Sequence, residues 1–287
     1  MIILDGNNLL HRILKLSTFY EMSYSNIPTG GIFGVITSIK NILESSGYMG
    51  KNIIVWDGKK SKRRLELYPD YKGNRKPKDE VAKKVAEEYF ATFNLQKKVL
   101  MESFLPSLGV ISVLFPEKEA DDVIYQLTNM YYKDEEILII SEDSDMLQLI
   151  SFFPNIKIYR PIKKSLVTKD SFPSEVGMDF RVFMLYKAIL GDTGDNIGHI
   201  PRVGNKSVEE IIKKVDPANP DESLLALAKT STNAKEAKLA EHWNIVIRNK
   251  ELIDLSREEF LSSELNQLKT SIDNYTCALN LTNFENS

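Results

Sequence analysis

The chain is poor in the residues on which several chemistries depend. Its 287 residues include a single cysteine, Cys277, and three histidines, His11, His199 and His242, scattered along the sequence. A lone cysteine excludes an intramolecular disulfide and any cysteine-rich zinc site, and three dispersed imidazoles argue against a histidine-ligated one. Long apolar runs are also missing. Stretches such as Ile137–Ile140 span a few residues, far short of a membrane-crossing helix. The opening Met1-Ile2-Ile3-Leu4-Asp5 carries no basic segment ahead of an apolar core, so no secretory signal and no membrane contact are expected, and the chain reads as cytoplasmic. What is present is ordinary for a folded protein: 43% hydrophobic and 27% charged residues, which excludes a disordered or low-complexity chain.

Net charge is −3, but it is unevenly spread. Lys59–Lys84 holds eleven Lys/Arg against four Asp/Glu, a local +7 that leaves −10 for the rest. Such asymmetry suits an anionic partner, although a basic run also occurs as a solvated helix face.

Short apolar runs at Met1–Leu4, Asn52–Trp56, Val110–Phe115, Ile137–Ile140 and Ile156–Tyr159 read as strands buried on both faces. Candidate helices lie between them at Asn8–Lys15, Gly31–Ser45, Ala120–Tyr132 and Ser144–Leu149. This alternation predicts an α/β fold with a mostly parallel sheet and helices on both faces. A helix-favouring insertion, about Lys76–Leu105, is too long for a simple crossover. From about Asp179 the pattern is helical, with helices expected at Arg181–Leu190, Lys206–Val215, Ser223–Lys229, Ala234–Asn249 and Arg257–Leu268. The expected division is therefore an α/β part, 1–178, and a helical part, 179–287.

The acids fall at strand ends. Asp5 closes the first strand and Asp57 the second; Glu119, Asp121 and Asp122 follow the third, and Asp143 and Asp145 the fourth. In a parallel sheet all these ends point to one crevice. Any one of these acids alone reads more readily as a helix N-cap; their recurrence at every exit, with acid clusters at two of them, points to a shared site. Gly191-Asp192-Thr193-Gly194-Asp195-Asn196 adds two acids three residues apart, unless it is only a turn with Asx caps. Crowded carboxylates need compensating charge. Hard divalent ions such as Mg²⁺ prefer oxygen ligands. Two such ions ~4 Å apart activate water and stabilise a leaving oxygen in phosphoryl displacement. Acids beside a basic segment thus suggest phosphodiester hydrolysis. Gly198–Ser207 only approximates a phosphate-binding P-loop: five residues separate its glycines, Asn205 precedes Lys206, and no buried strand leads into it.

Asp5-Gly6-Asn7-Asn8, Trp56-Asp57-Gly58, Tyr71-Lys72-Gly73-Asn74-Arg75, Glu119-Ala120-Asp121-Asp122, Asp143-Ser144-Asp145 and Gly191–Asn196 occur in this order. In this the sequence resembles the flap endonuclease/5′→3′ exonuclease family, most of all the bacteriophage-type structure-specific 5′ nucleases that include phage ribonuclease H, over roughly residues 1–255. The resemblance implies a PIN-like core with a helical arch at about 72–105, followed by a helix-three-turn-helix with its hairpin at about 197–214. It implies that Glu119, Asp121, Asp122 and Asp143 serve mainly one metal and Asp145, Asp192 and Asp195 a second, while Asp5 and Asp57 match the family's acids at the first two strand ends; all nine would hold metal directly or through water. Mg²⁺ is expected, with Mn²⁺ as substitute. Lys72 and Arg75 match basic residues that contact the scissile phosphate, and Tyr71 an aromatic that stacks on a base, though core packing is an equal reading. Lys83 on the arch and Arg202, Gly204, Asn205, Lys206 and Ser207 at the hairpin are expected to contact DNA. Hairpins of the family often hold K⁺; here Arg202 replaces the first glycine of their Gly-x-Gly.

The implied activity is Mg²⁺-dependent cutting of 5′ flaps and 5′→3′ degradation of duplex DNA or RNA–DNA primer hybrids, in replication and in the cytoplasm of a phage-infected host. A monomer is expected. Residues 256–287 carry no readable motif and no clear clamp-binding peptide; they read as helical packing or as a partner-docking tail, for instance for a single-strand-binding protein or a sliding clamp. The rival readings are a PIN-type ribonuclease and a non-catalytic binder of branched DNA.

Overall fold

The computed structural model describes residues 1–47, 50–75 and 77–275. Cys277, Lys76 and residues 276–287 of the unassigned C-terminal stretch lie outside the described residues. The strands are β1 (Ile2–Asp5), β2 (Ser23–Tyr24), β3 (Ile27–Pro28), β4 (Asn52–Trp56), β5 (Val110–Leu114), β6 (Leu138–Ile140), β7 (Lys157–Arg160) and β8 (Ser165–Val167). The helices are α1 (Gly6–Leu14), α2 (Ser17–Tyr20), α3 (Gly30–Ser46), α4 (Lys62–Leu67), α5 (Glu80–Val99), α6 (Leu105–Ser107), α7 (Ala120–Tyr131), α8 (Leu149–Phe152), α9 (Phe172–Val176), α10 (Phe183–Leu190), α11 (Asn205–Ile212), α12 (Pro220–Thr230), α13 (Ala234–Glu241), α14 (Trp243–Ile253) and α15 (Ser262–Asp273).

Six strands form one sheet in the order β5-β4-β1-β6-β7-β8, parallel throughout except for antiparallel β8 at the edge. The apolar runs are central because they are covered twice. Ile2, Leu4, Ile54 and Trp56 face a cluster built with α1 and α3; Met1, Ile3, Ile53 and Val55 face the one built with α7. The two-residue period of a strand sends alternate side chains to opposite layers. A third cluster, built by Val182, Leu185, Ile189, Val208, Ile211, Leu224, Leu239 and Val246, holds the C-terminal helices together.

The five expected strands and the helices between them are present, with differences at their ends. Short β8 and the β2–β3 hairpin were not expected. Ser144–Gln148 is a 3₁₀ turn running into α8. The expected single helix Ala234–Asn249 breaks at His242 into α13 and α14. Arg257–Leu268 is instead a 3₁₀ turn, Leu255–Arg257, followed by α15. In the insertion, Asp79 caps α5 by accepting the Ala82 amide at 2.7 Å. Most of this helix is exposed; near its end Phe93 stacks on His11 at 4.1 Å and Gln96 accepts the Ile32 amide at 3.1 Å. Among the described residues, no helix is long and apolar enough to cross a membrane.

Candidate active site

The ends of β1, β4 and β6, adjacent in the sheet, bring their acids together. Asp5 is buried; one oxygen accepts the Asn8 amide at 3.0 Å and so caps α1, and the other accepts the Ser141 hydroxyl at 3.0 Å. Asp57 accepts the Ala120 amide at 2.8 Å, at the start of α7. Asp143 accepts the Asp145 amide at 2.8 Å. The capping reading is therefore met at Asp5 and Asp143, whose carboxylates start α1 and the turn at Ser144–Gln148. Gly58 is required here, because a Cβ would lie 2.1 Å from the Phe115 carbonyl oxygen.

These carboxylates repel one another. Burial, with Asp57 and Asp143 nearby, pushes the Asp5 carboxyl up to about 7. Burial, then Asp143, Asp5 and Asp57, raise Asp121 well above its usual range. Burial and Asp143 push Asp145 up to about 7 against the pull of Lys187. Four strand exits thus supply acids close enough to disturb each other.

Basic side chains offset part of this charge. Lys187 Nζ lies 2.7 Å from Asp145 Oδ1 and 2.9 Å from Asp192 Oδ2; burial pushes Asp192 up, but Lys187 together with the Asp195 and Gly194 amides holds it below its usual range. Asp192 in turn accepts the Gly194 and Asp195 amides at 2.8 and 3.2 Å. Lys72 Nζ donates to Glu119 Oε1 at 2.7 Å; with Arg64 it lowers Glu119 despite burial. Arg75 Nη2 donates to Asp195 Oδ1 at 2.6 Å. Burial outweighs Lys72 and Arg75 at Asp195, which is raised.

Three expectations are corrected. Tyr71 does not offer a face for base stacking: it is 3% exposed, and its hydroxyl lies 2.9 Å from Glu119 Oε2 and 3.1 Å from Asp195 Oδ2, so the core reading holds. Asp122 is engaged by Arg64 rather than open to the crevice. It is fully buried with both oxygens 2.7 Å from Arg64, because consecutive residues on α7 diverge by about 100° around the helix. The +7 run is partly neutralised rather than a free basic patch: Lys59, Lys62, Arg63, Arg64, Lys72 and Arg75 pair with acids outside it, although Lys59, Lys62 and Arg75 stay exposed. Lys83 lies exposed on α5, paired with Glu80 at 3.7 Å.

At the hairpin, Arg202 is exposed and keeps a left-handed backbone (φ 64°), the conformation that a glycine adopts most easily. Gly204 precedes α11 with no side-chain cap; Asn205 and Lys206 are exposed and Ser207 is buried. Lys187 and Arg64 were missed by the sequence reading. Lys187 had a signal, as the one charge within Phe183–Leu190. Arg64 had none, being one cation among many.

The donor set fits a hard divalent ion: oxygen only, half-buried to buried, and mutually repelling. Asp145 Oδ1 is buried without a well-directed hydrogen bond, although Lys187 lies near. Among the described residues no group of three acidic, His or Cys side chains is arranged to hold one metal directly.

Residues 1–177 match the family model described as 5′-3′ exonuclease, N-terminal resolvase-like domain. The chain belongs to the 5′→3′ exonuclease/flap endonuclease family. This exonuclease is 30% identical over 215 residues to the 5′-3′ exonuclease of Buchnera aphidicola subsp. Schizaphis graminum, covering 75% of this chain and 70% of the relative. It is 30% identical over 273 residues to flap endonuclease Xni of Shewanella loihica, covering 94% and 92%. Its fold is that of T5 5′-exonuclease solved with zinc bound: TM-score 0.72 at 20% identity, over 100% of this chain and 98% of that one. The exonuclease is thus an enzyme of a nuclease family with a resolvase-like, PIN-type α/β core.

Proposed function

We propose that this exonuclease is a Mg²⁺-dependent, structure-specific 5′ nuclease that cuts 5′ flaps and trims duplex DNA or RNA–DNA hybrids from the 5′ end, clearing primers and flaps in replication in a bacterial, phage-infected cytoplasm. The observation that carries this reading is the convergence of mutually repelling acids from three adjacent strand ends and the Glu119–Asp121 segment. Glu119, Asp121 and Asp143 would hold one ion and Asp145, Asp192 and Asp195 a second, with Asp5 and Asp57 contributing directly or through water; Mn²⁺ would substitute. Bound there, the ions supply an activated water and stabilise the leaving oxygen.

The chain's own residues do the rest. Lys72 and Arg75, now held by Glu119 and Asp195, orient and neutralise the scissile phosphate. α5, carrying Lys83, belongs to an arch at about 72–105 over single-stranded DNA. In the helical part, 179–287, Arg202 and the uncapped start of α11 at Gly204–Ser207 bind a duplex phosphate, as helix N-termini bind anions. K⁺ at this hairpin, and a single-strand-binding protein or sliding clamp as partner, remain part of the proposal. The enzyme acts as a monomer.

A labelled 5′-flap duplex tests the reading. Cutting near the junction in Mg²⁺, abolished by EDTA, is the expected result. Binding without cutting would point to a non-catalytic binder, and cutting of single-stranded RNA alone to a PIN-type ribonuclease. Lys72→Ala is expected to slow turnover about a hundredfold to a thousandfold, the range for losing a charge-stabilising donor, while duplex affinity changes little. Affinity falls steeply with salt as phosphate contacts release counterions, which a titration at several ionic strengths measures.

A further inference from the structure

Arg64 lies at the junction of the two parts of the molecule. It is 2% exposed and every polar nitrogen of its guanidinium is engaged. Nε donates to the Leu252 carbonyl oxygen at 2.8 Å, near the end of α14. Nη1 donates to Glu119 Oε2 at 2.9 Å and to Asp122 Oδ2 at 2.7 Å, and Nη2 to Asp122 Oδ1 at 2.7 Å. A planar fork of donors can serve a carboxylate bidentately and still reach a carbonyl; an ammonium cannot.

The same Glu119 carries the contact onward. Its Oε2 accepts the Tyr71 hydroxyl at 2.9 Å, and its Oε1 accepts Lys72 Nζ at 2.7 Å. The end of α14 is anchored twice more, by Arg63 donating to the Glu251 carbonyl oxygen at 2.9 Å and by Gln148 donating to that of Ile253 at 3.1 Å. α14 packs on α10, the helix that carries Lys187 to Asp192. A continuous path therefore runs from the helical part through Arg64 to the residues facing the scissile bond.

We infer that Arg64 is a positioning residue: it fixes Glu119, and through it Lys72, relative to the end of α14, and Asp122 is its counter-charge rather than a metal ligand. Asp122 neutralises the buried guanidinium so that Glu119 is left to orient Lys72. This inference rests on the cleavage activity proposed above. An apolar pair of similar volume often replaces a buried ion pair without loss of stability, so a pair held only for structure would leave kcat as well as Tm unchanged on such a replacement.

The test uses the full chain on a 5′-flap duplex, with Tm measured with and without Mg²⁺. For Arg64→Met/Asp122→Leu we expect a Tm within a few degrees of the unaltered chain, a KM within about twofold, and kcat lowered tenfold or more. Arg64→Lys recovers part of that loss. Asp122→Asn keeps the rise in Tm that Mg²⁺ produces, whereas Asp143→Asn loses it. Wild-type kcat in the double variant overturns the positioning role, and loss of the Mg²⁺ response in Asp122→Asn overturns the counter-charge assignment. If the double variant does not fold, Arg64→Lys decides: lowered kcat at unchanged Tm and KM supports the inference, and unchanged kcat overturns it. An unaltered chain that cuts no flap refutes the proposed activity instead, and the Mg²⁺ response of Asp122→Asn still decides what Asp122 does.

Discussion

Asp143→Asn lowers flap cleavage about a thousandfold or more and moves stability in two opposite directions. Asp143 raises Asp5, Asp121 and Asp145 alike, so it lies within reach of acids from both proposed metal positions. Asparagine keeps the oxygen that accepts the Asp145 amide, so the turn at Ser144–Gln148 stays capped. It removes only the charge. Without Mg²⁺ the variant melts higher than the unaltered chain, because a like charge among buried acids has gone. With Mg²⁺ the order reverses, since a ligand of the native state stabilises it only in proportion to its affinity. A thousandfold loss of rate corresponds to about 4 kcal/mol of transition-state stabilisation, a reasonable cost for disturbing a two-metal site. Cleavage within tenfold of the unaltered chain, or an undiminished Mg²⁺ response, would contradict the assignment of Asp143.

The metal-free exonuclease loses stability as pH rises from about 4 to about 7, and Mg²⁺ counteracts the loss. Asp5 and Asp145 have usual values of 3.8 and are each pushed up to about 7 in the fold. In that window the native state holds protons that the unfolded chain has already released. Stability falls with pH wherever the native state binds more protons. The contribution is complete below 3.8 and is lost as pH passes through about 7. For each group alone the separation is worth roughly 4 kcal/mol as an upper bound. Glu119 and Asp192 act in the opposite sense: both are lowered, so their stabilisation is present above the usual carboxylate range and is lost on acidification below it. The two sets therefore work in adjacent windows, and metal-free stability peaks near the lower end of the first. A divalent ion replaces the protons of Asp5 and Asp145, so the rise in Tm on adding Mg²⁺ grows with pH over this range. Melting curves at pH 4.5, 6 and 7.5, with EDTA or Mg²⁺, measure both trends (these three are about the spacing the window requires). A Mg²⁺ effect independent of pH would mean that these acids do not meet the ion.

The α/β framework was legible because its signals are local. Ile53-Ile54-Val55-Trp56 and Ile139-Ile140 are apolar without alternation, and only a strand covered on both faces accommodates that. A parallel sheet then sends every strand end to one side, which is why Asp5, Asp57 and Asp143 could be placed together before any distance was known. The break at His242 was illegible because both halves of the stretch favour helix; packing of α14 on α10 sets its axis. Likewise no spacing rule separates Asp121 from Asp122. They are neighbours in one motif, and only the position of Arg64, brought from α4 to the face of α7, turns one inward and leaves the other for the crevice. The sequence by itself determined the sheet, the acids at its strand ends and the hard-ion chemistry they imply, because strand direction and side-chain type are local properties. Tertiary structure alone decided how charge is neutralised: Lys187 between Asp145 and Asp192, Lys72 on Glu119, Arg64 on Asp122. Those pairings join residues tens of positions apart or on different turns, and burial selects them, since an unpaired charge cannot remain inside the fold.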